Sequence, residues 1–464
     1  MLLMKIRRIS PYLLVMLSFL ILLLLGGFLL TLPISQTSGE WGNYADSVFM
    51  ATSAVCVTGF DCYKTGLVNT ITFFGQCVEA VLMQIGGLGF MTILFFLVTL
   101  IRKKVAFKDR LFLSQATNSS DVSHVVQFLR KLILITAIIE VSGFILGIPA
   151  FLDIYKGDVP QALWGSAFLA ISSFNNAGLD LFGVTSFIRE GNELLTNMSD
   201  WAYYYMLTYS MILIVLGGIS YLVLMEVFSF KKKPRQYSAF TKICLVMAAV
   251  LIFSGAVLIY LTDGLIEQDP NRKMSFFHAL FLSVSSRTAG FASYPPYDLS
   301  NGGRIVSWVL MFIGGSPLGT ASGIKTTTLF LIVLSIYSYI RGRKVKAFNR
   351  FYTQSLIVKA MAVMLMSIFV VVIGYLVLSE FEQKTNPYFT GERAIYETIS
   401  AFSTTGFTTD MTVNLSVGGK ITCVALMYIG RLGPMTMFSI FSNNMHVEDS
   451  GAHIKYVAED ILIG

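Results

Sequence analysis

Thr52-Ser53-Ala54-Val55-Cys56-Val57-Thr58-Gly59-Phe60 is the first of four segments that end alike. The others are Ser172-Ser173-Phe174-Asn175-Asn176-Ala177-Gly178-Leu179, Ser285-Ser286-Arg287-Thr288-Ala289-Gly290-Phe291 and Ser403-Thr404-Thr405-Gly406-Phe407. Their glycines lie 119, 112 and 116 residues apart (178 − 59, 290 − 178, 406 − 290). Each glycine follows a small, hydroxyl-rich stretch and precedes a long apolar run. Such a recurrence reads as four copies of one structural unit. Four glycine-ended turns predict four backbone segments meeting at one axis, which inside a membrane is how a cation-selective filter is built.

The composition places the chain in a membrane. Of 464 residues 55% are hydrophobic and only 13% charged, against about 25% charged in soluble domains. Pro11–Pro33, Ile243–Leu261 and Ala360–Ser379 carry no charge at all, and about 20 apolar residues span a bilayer. The net charge of +7 is not a nucleic-acid signal. Of 34 Lys and Arg, 21 fall in Lys5–Arg8, Arg102–Lys131, Lys231–Lys242 and Arg341–Lys359, which together hold two acids, Asp109 and Asp121. This bias beside the spans predicts that these loops and the N-terminus are cytoplasmic. Cys56, Cys62, Cys77, Cys244 and Cys423 form no C-x-x-C and no disulfide framework. The four histidines form no ligand cluster, so neither a transition-metal site nor an organic cofactor is expected. Pro11–Pro33 is long enough to remain as a first helix rather than a cleaved leader.

The expected fold is an all-α integral membrane protein of four tandem units in pseudo-fourfold arrangement around one central pore. Each unit is a first span, a re-entrant half-helix with its pore loop, and a second span. First spans are read at Pro11–Pro33, Leu132–Leu152, Ile243–Leu261 and Ala360–Ser379; half-helices at Ala45–Thr58, Gln161–Ala177, Ser275–Ala289 and Ala394–Thr405; second spans at Phe73–Ile101, Trp201–Phe230, Ile305–Ile340 and Ile421–Asn443. The units divide at 1–110, 111–235, 236–350 and 351–446, and 447–464 is a short cytoplasmic tail. Expected filter residues are Val57, Thr58, Gly59, Asn176, Ala177, Gly178, Thr288, Ala289, Gly290, Thr404, Thr405 and Gly406. Half-helix C-termini aimed at the axis carry partial negative charge, and glycine lets carbonyls turn inward without a Cβ clash. The alternative is that each glycine is a plain helix C-cap.

The second span of the third unit is 36 residues long and broken at Gly314–Thr328, where Pro317 and Gly314, Gly315, Gly319 and Gly323 crowd into ten residues. Lys325 lies in the break, and a charge at membrane depth is a functional candidate. The stretch is no phosphate-binding loop, because Ile324 separates Gly323 from Lys325 and no strand precedes it. Glycine pairs Gly86-Gly87, Gly217-Gly218 and Gly314-Gly315 align, and the fourth unit has Gly430-Arg431 instead. Arg431 is expected below the filter, contacting loop carbonyls or hydroxyls and raising the barrier to cations; an ion pair with Glu140 is the alternative. Arg287 is expected to brace its half-helix, against Glu397 for example. Glu79 and Glu226 are expected to reach the membrane interface, and the small residues Gly86–Gly89 and Gly217–Ser220 to permit close helix packing.

These motifs resemble, over essentially the whole chain, the Trk/Ktr/HKT superfamily of potassium transporters, and most nearly the membrane subunit of bacterial Ktr systems (KtrB-like, the KtrII/NtpJ type included). The resemblance implies that Gly59, Gly178, Gly290 and Gly406 line a filter that coordinates K⁺ through backbone carbonyls. Plant relatives with serine at the first position favour sodium, so Gly59 points to potassium. It implies that the break is an intramembrane gating loop, with Gly314, Gly315, Ser316, Gly319, Thr320, Gly323 and Lys325 in it and Arg431 acting with it. Pro317–Ser322 departs from the usual Gly-Ser-Thr-Ala-Gly core. The resemblance also implies a homodimer with a cytoplasmic nucleotide-binding (KtrA-like) regulatory ring in a bacterial plasma membrane, both termini inside. Sodium dependence, a sodium-conducting relative and a cation sensor remain alternatives. Without paired acids, HExxH or a nucleophile elbow, an enzyme is not expected.

Overall fold

A computed structural model describes residues 11–89, 125–184, 186–229, 234–265 and 274–433. Lys5–Arg8, most of Arg102–Lys131, the ends of the first and fourth second spans and the tail 447–464 lie outside the described residues. Fourteen helices are numbered here: α1 Pro11–Thr31, α2 Tyr44–Cys56, α3 Phe73–Leu88, α4 Val125–Ile154, α5 Val159–Asn175, α6 Asp200–Gly218, α7 Tyr221–Phe228, α8 Ala239–Ile259, α9 Phe276–Ser285, α10 Asn301–Phe312, α11 Thr326–Ile340, α12 Gln354–Glu382, α13 Gly391–Ser403 and α14 Val417–Leu432. Among the described residues the helices are accompanied by one short hairpin, Lys346–Ala347 with Arg350–Phe351. Its turn residues Phe348 and Asn349 both have positive φ, as a type I′ turn requires.

Helix starts are written in the sequence. The half-helices α2, α5, α9 and α13 begin at Asn43, Asp158, Ser275 and Thr390, and each side chain accepts a backbone N–H of the first turn. The helices α3, α6, α10 and α14 begin at Thr72, Ser199, Ser300 and Ser416, with the same capping bond. Such caps are worth about 1 kcal/mol each. The first spans α1, α4, α8 and α12 carry apolar stripes at helical spacing that stay exposed among the described residues. Examples are Leu134, Ile138, Val141 and Ile145, and Leu365, Phe369, Val372 and Leu376. Uncovered stripes of this size belong against lipid.

Each first span packs on its own half-helix. Each second span also packs on the half-helix that follows in the chain: α3 on α5, α6 on α9, α10 on α13, and α14 back on α2. This cycle closes. Polar ties reinforce three of its contacts: Trp164 Nε1 donates to Gln76 Oε1 at 2.7 Å, Arg304 pairs with Glu392 at 3.2 Å and Lys420 with Asp46 at 2.5 Å.

One expectation about the spans is corrected. Among the described residues four helices are long and apolar enough to cross a membrane, and the ends of the expected first and fourth second spans lie outside the described residues. The expected span Trp201–Phe230 is two helices, because Ile219 and Ser220 are extended between α6 and α7. Weak helix formers Gly217-Gly218 precede the break and Ser220 starts the next helix. Helix α3 stops at Gly89 and α14 at Gly433, both at φ 82°. In the third unit the non-helical stretch runs from Ile313 to Lys325, against the expected Gly314–Thr328, because Thr326–Thr328 already belong to α11.

Candidate functional site

The four glycine-ended segments adopt one backbone pattern. Val57, Asn176, Thr288 and Thr404 have φ of 59°, 58°, 67° and 52°, and Gly59, Gly178, Gly290 and Gly406 have φ of 94°, 69°, 82° and 90°. The residues between, Thr58, Ala177, Ala289 and Thr405, keep negative φ. Alternation of this kind turns successive carbonyls to one side of the strand. Left-handed backbone is disfavoured for side chains and most of all for β-branched ones, yet three of the four are Val or Thr. Local strain of this sort collects at functional sites.

The half-helices end in a shared hydrogen-bond pattern. Thr58 N donates to Ser53 O at 2.7 Å, Ala177 N to Ser172 O at 2.8 Å and Thr405 N to Ser400 O at 2.9 Å, the Schellman closure with a left-handed capping residue. The third differs: Ala289 N and Gly290 N both reach Ser285 O. The capping residues are therefore Val57, Asn176 and Thr404, and the glycines lie two positions beyond. Ser53 Oγ and Ser400 Oγ hold Gly59 N and Gly406 N at 3.1 Å. The next residues, Phe60, Leu179, Phe291 and Phe407, are buried anchors.

The glycines bring the segments together. A Cβ on Gly59 would come under 3.0 Å from Ala177 O, on Gly178 from Ala289 O, on Gly290 from Thr405 O and on Gly406 from Thr58 O. Each glycine thus abuts the carbonyl just before the next segment's glycine, and the fourth returns to the first. All twelve expected filter residues lie in these four segments.

A cavity of about 230 Å³ opens on the ring, lined by all four glycines and by Asp61, Asp180, Glu190, Asp298 and Asp410. The acids were not singled out from sequence, although Asp61 and Asp180 each follow their glycine by two positions. They lie in loops. Burial pushes the Asp61 carboxyl up to about 7, against the lowering effect of N–H bonds from Tyr63 and Leu67, each 2.8 Å. Burial likewise raises Asp180 to about 6, opposed by Ser186 Oγ at 2.6 Å. Burial also raises Asp410, with Arg393 opposing it.

On the half-helix side, the glycine pairs serve close packing. A Cβ on Gly86, Gly217 or Gly430 would collide with Val55 O, Phe174 O or Phe402 O, each four residues before a filter glycine, and one on Gly314 with Ser322 O of the loop. The loop itself is heavily bonded. Ile324 N donates to Phe312 O at 3.1 Å and Thr326 N to Gly315 O at 3.0 Å. Ser316 N donates to Gly218 O at 3.0 Å, Thr320 N to Gly217 O at 3.1 Å, and Tyr221 N to Leu318 O at 2.9 Å. In an unbroken helix Tyr221 N would donate to Gly217 O. The loop has inserted into that bond and taken both partners. Gly319 sits over Gly217, Gly218 and Ile219 carbonyls, and Gly323 has φ 66°. Lys325 Nζ donates to Ala321 O at 2.7 Å.

Arg431 donates to Thr320 O and Gly86 O, to Ser322 Oγ at 3.2 Å and to Gly87 O at 3.4 Å. Thr320 and Ser322 belong to the loop, and Gly86 and Gly87 to α3. The alternative partner Glu140 instead accepts from Gln84 at 3.1 Å and Asn175 at 3.0 Å. Two further expectations are corrected. Arg287 does not meet Glu397; it donates to Gly314 O at 3.4 Å and Ala248 O at 3.5 Å. Glu397 is held by Thr408, Thr409 and Thr412. Glu79 is fully buried on α3 rather than at an interface.

The fold is that of the potassium transporter TrkH from Vibrio parahaemolyticus, with a TM-score of 0.70 over 95% of this chain and 86% of that one at 15% identity. In sequence the chain is 33% identical to the potassium/sodium uptake protein NtpJ of Enterococcus hirae, over 99% of this chain and 98% of that protein. It is 32% identical to the Ktr system potassium uptake protein B of Bacillus subtilis, over 98% and 97%. The family model described as TrkH, cation transport protein, matches residues 11–450, and the chain belongs to that family of membrane transport proteins.

Proposed function

We propose that this chain is the potassium-translocating subunit of a Ktr-type uptake system in a bacterial plasma membrane. The four units, divided at 1–110, 111–235, 236–350 and 351–446, surround one pore in pseudo-fourfold fashion. K⁺ sheds water at the ring and is coordinated by carbonyls of Val57–Gly59, Asn176–Gly178, Thr288–Gly290 and Thr404–Gly406. The acidic cavity concentrates cations at its mouth. The loop carrying Gly314, Gly315, Ser316, Gly319, Thr320, Gly323 and Lys325 gates the path, held shut by Arg431. The single observation that carries this reading is the closed cycle in which each glycine abuts the next segment's carbonyl.

The relatives named above are a potassium/sodium and a potassium uptake protein, transporters rather than enzymes. The Ktr system name of one relative supports a multicomponent assembly. A homodimer on a cytoplasmic nucleotide-binding ring, with both termini inside, belongs to this proposal. Sodium enters as an activating or coupled ion.

The test is potassium uptake in a bacterial strain lacking its own importers, with this chain expressed with a Ktr-type regulatory subunit. Rescue at low potassium, weakened in Gly290→Ser, is expected. Rescue indifferent to Gly290 would overturn the filter assignment, and no rescue would favour a sensor.

A further inference from the structure

The centre of the loop touches the filter. Thr320 is 1% exposed, and each of its polar atoms is held by a different element. Its N–H donates to Gly217 O of α6 at 3.1 Å. Its carbonyl accepts from Arg431 of α14. Its hydroxyl lies 3.3 Å from both Phe174 O and Asn176 Oδ1, the first in the last turn of α5 and the second on the left-handed residue two before Gly178.

Asn176 is placed to carry a signal. Its amide is buried in the notch of Gly217-Gly218, where a Cβ on Gly217 would meet Oδ1 at 2.9 Å and one on Gly218 would meet Nδ2 at 3.3 Å. Its Nδ2 has no hydrogen-bond partner in the protein. The equivalent residues are Val57, which has no polar side-chain atom, and Thr288 and Thr404, whose hydroxyls have no partner either. Of the four left-handed filter residues, Asn176 is thus the one whose side chain is hydrogen-bonded to the loop. Tyr221, whose N–H holds Leu318 O, keeps the loop on the same break.

We propose that the Thr320–Asn176 hydrogen bond couples loop position to the geometry of the second filter segment, so that moving the loop changes ion discrimination as well as flux. Displacing the loop removes the hydroxyl from Asn176 Oδ1 and releases the side chain of the left-handed residue that caps α5. Ion occupancy at Gly178 acts back on the loop through the same bond, since such coupling is reciprocal. This rests on the filter and gate reading above.

The experiment is rubidium and sodium uptake by Thr320→Val, Thr320→Ser, Asn176→Gly and the Thr320→Val/Asn176→Gly double variant, at matched membrane abundance. Valine keeps the shape of threonine without the hydroxyl; glycine keeps the left-handed backbone without the amide. Thr320→Val and Asn176→Gly are each expected to change rubidium-over-sodium discrimination by about threefold to tenfold, the size of one buried hydrogen bond. The double variant should change no more than either single one, and Thr320→Ser should lie closer to wild type than Thr320→Val. A Thr320→Val that alters flux with discrimination intact, or a double variant equal to the product of the singles, would overturn the coupling. If Thr320→Val fails to reach the membrane, unchanged discrimination in Asn176→Gly overturns it equally. Absence of rubidium uptake by the wild-type chain would instead count against the filter reading itself.

Discussion

On the proposed gating, replacing Arg431 by glutamine removes the charge that the loop rests against. The guanidinium donates to four oxygens, Thr320 O, Ser322 Oγ, Gly86 O and Gly87 O, drawn from two elements. Glutamine is shorter and has a single amide group, so at least two of these bonds are lost. Charge-assisted bonds contribute about 1.5–3 kcal/mol each, so the closed arrangement loses about 3 kcal/mol. At about 1.4 kcal/mol per decade this shifts the closed-to-open ratio by about a hundredfold. A unit positive charge near the path adds a barrier of on the order of a few kcal/mol at an effective dielectric of about 20, and that also disappears. Rubidium flux into proteoliposomes should therefore rise at least about tenfold, with the filter setting the ceiling. Arg431→Lys separates the two contributions, because it keeps the charge and loses the fork of donors. Wild-type flux in Arg431→Gln, at equal protein per vesicle, would refute the reasoning.

Other outcomes follow from the same geometry. Gly406→Ala places a methyl against Thr58 O on a residue at φ 90°; uptake should fall at least about tenfold, backbone strain alone costing about 1–2 kcal/mol, while membrane abundance measured by immunoblot stays normal. Asp61 and Asp180, raised to about 7 and about 6, are charged at pH 8 and largely neutral at pH 5.5, so the cavity loses negative charge as external pH falls. The apparent KM for potassium should rise across that range, and Asp61→Asn should flatten the profile; an unchanged profile in Asp61→Asn and Asp180→Asn would exclude these groups. Gly217→Ala should lower the melting temperature in detergent by several degrees, since overpacking against Phe174 O costs about 1–3 kcal/mol. Gly218→Ala, whose nearest neighbour is at 3.3 Å, should melt close to wild type.

Much of this was legible before any coordinates. The half-helices start within about three residues of their expected positions because Asn43, Asp158, Ser275 and Thr390 are strong capping residues. The loop at Ile313–Lys325 announces itself through Pro317 and its glycines. Arg431 was placed correctly against the loop by counting from the filter glycine. Other features depend on distant partners. Nothing in Val57, Thr288 or Thr404 signals left-handed backbone, which their β-branched side chains oppose; packing among four segments imposes it. The break at Ile219–Ser220 hides within an apolar run because Leu318, nearly a hundred residues later, supplies the replacement acceptor for Tyr221 N. Glu79 misleads through its charge: its place two turns into α3 suggests an interface, and only tertiary packing reveals its burial.

The closed cycle of neighbour-on-neighbour contacts has an evolutionary corollary. A ring assembled from four copies of one short chain receives every substitution fourfold, so a lone cation beside the path or a lone insertion beneath it cannot arise. Here the ring is closed by one continuous polypeptide, and each quadrant drifts on its own. Among the described residues, the amide of Asn176 occurs in the second quadrant, the inserted loop in the third and the guanidinium of Arg431 in the fourth. These three singular features meet at Thr320. Covalent linkage is what lets a nearly symmetric ring carry an asymmetric cluster of contacts, and it leaves each part of that cluster separately open to selection.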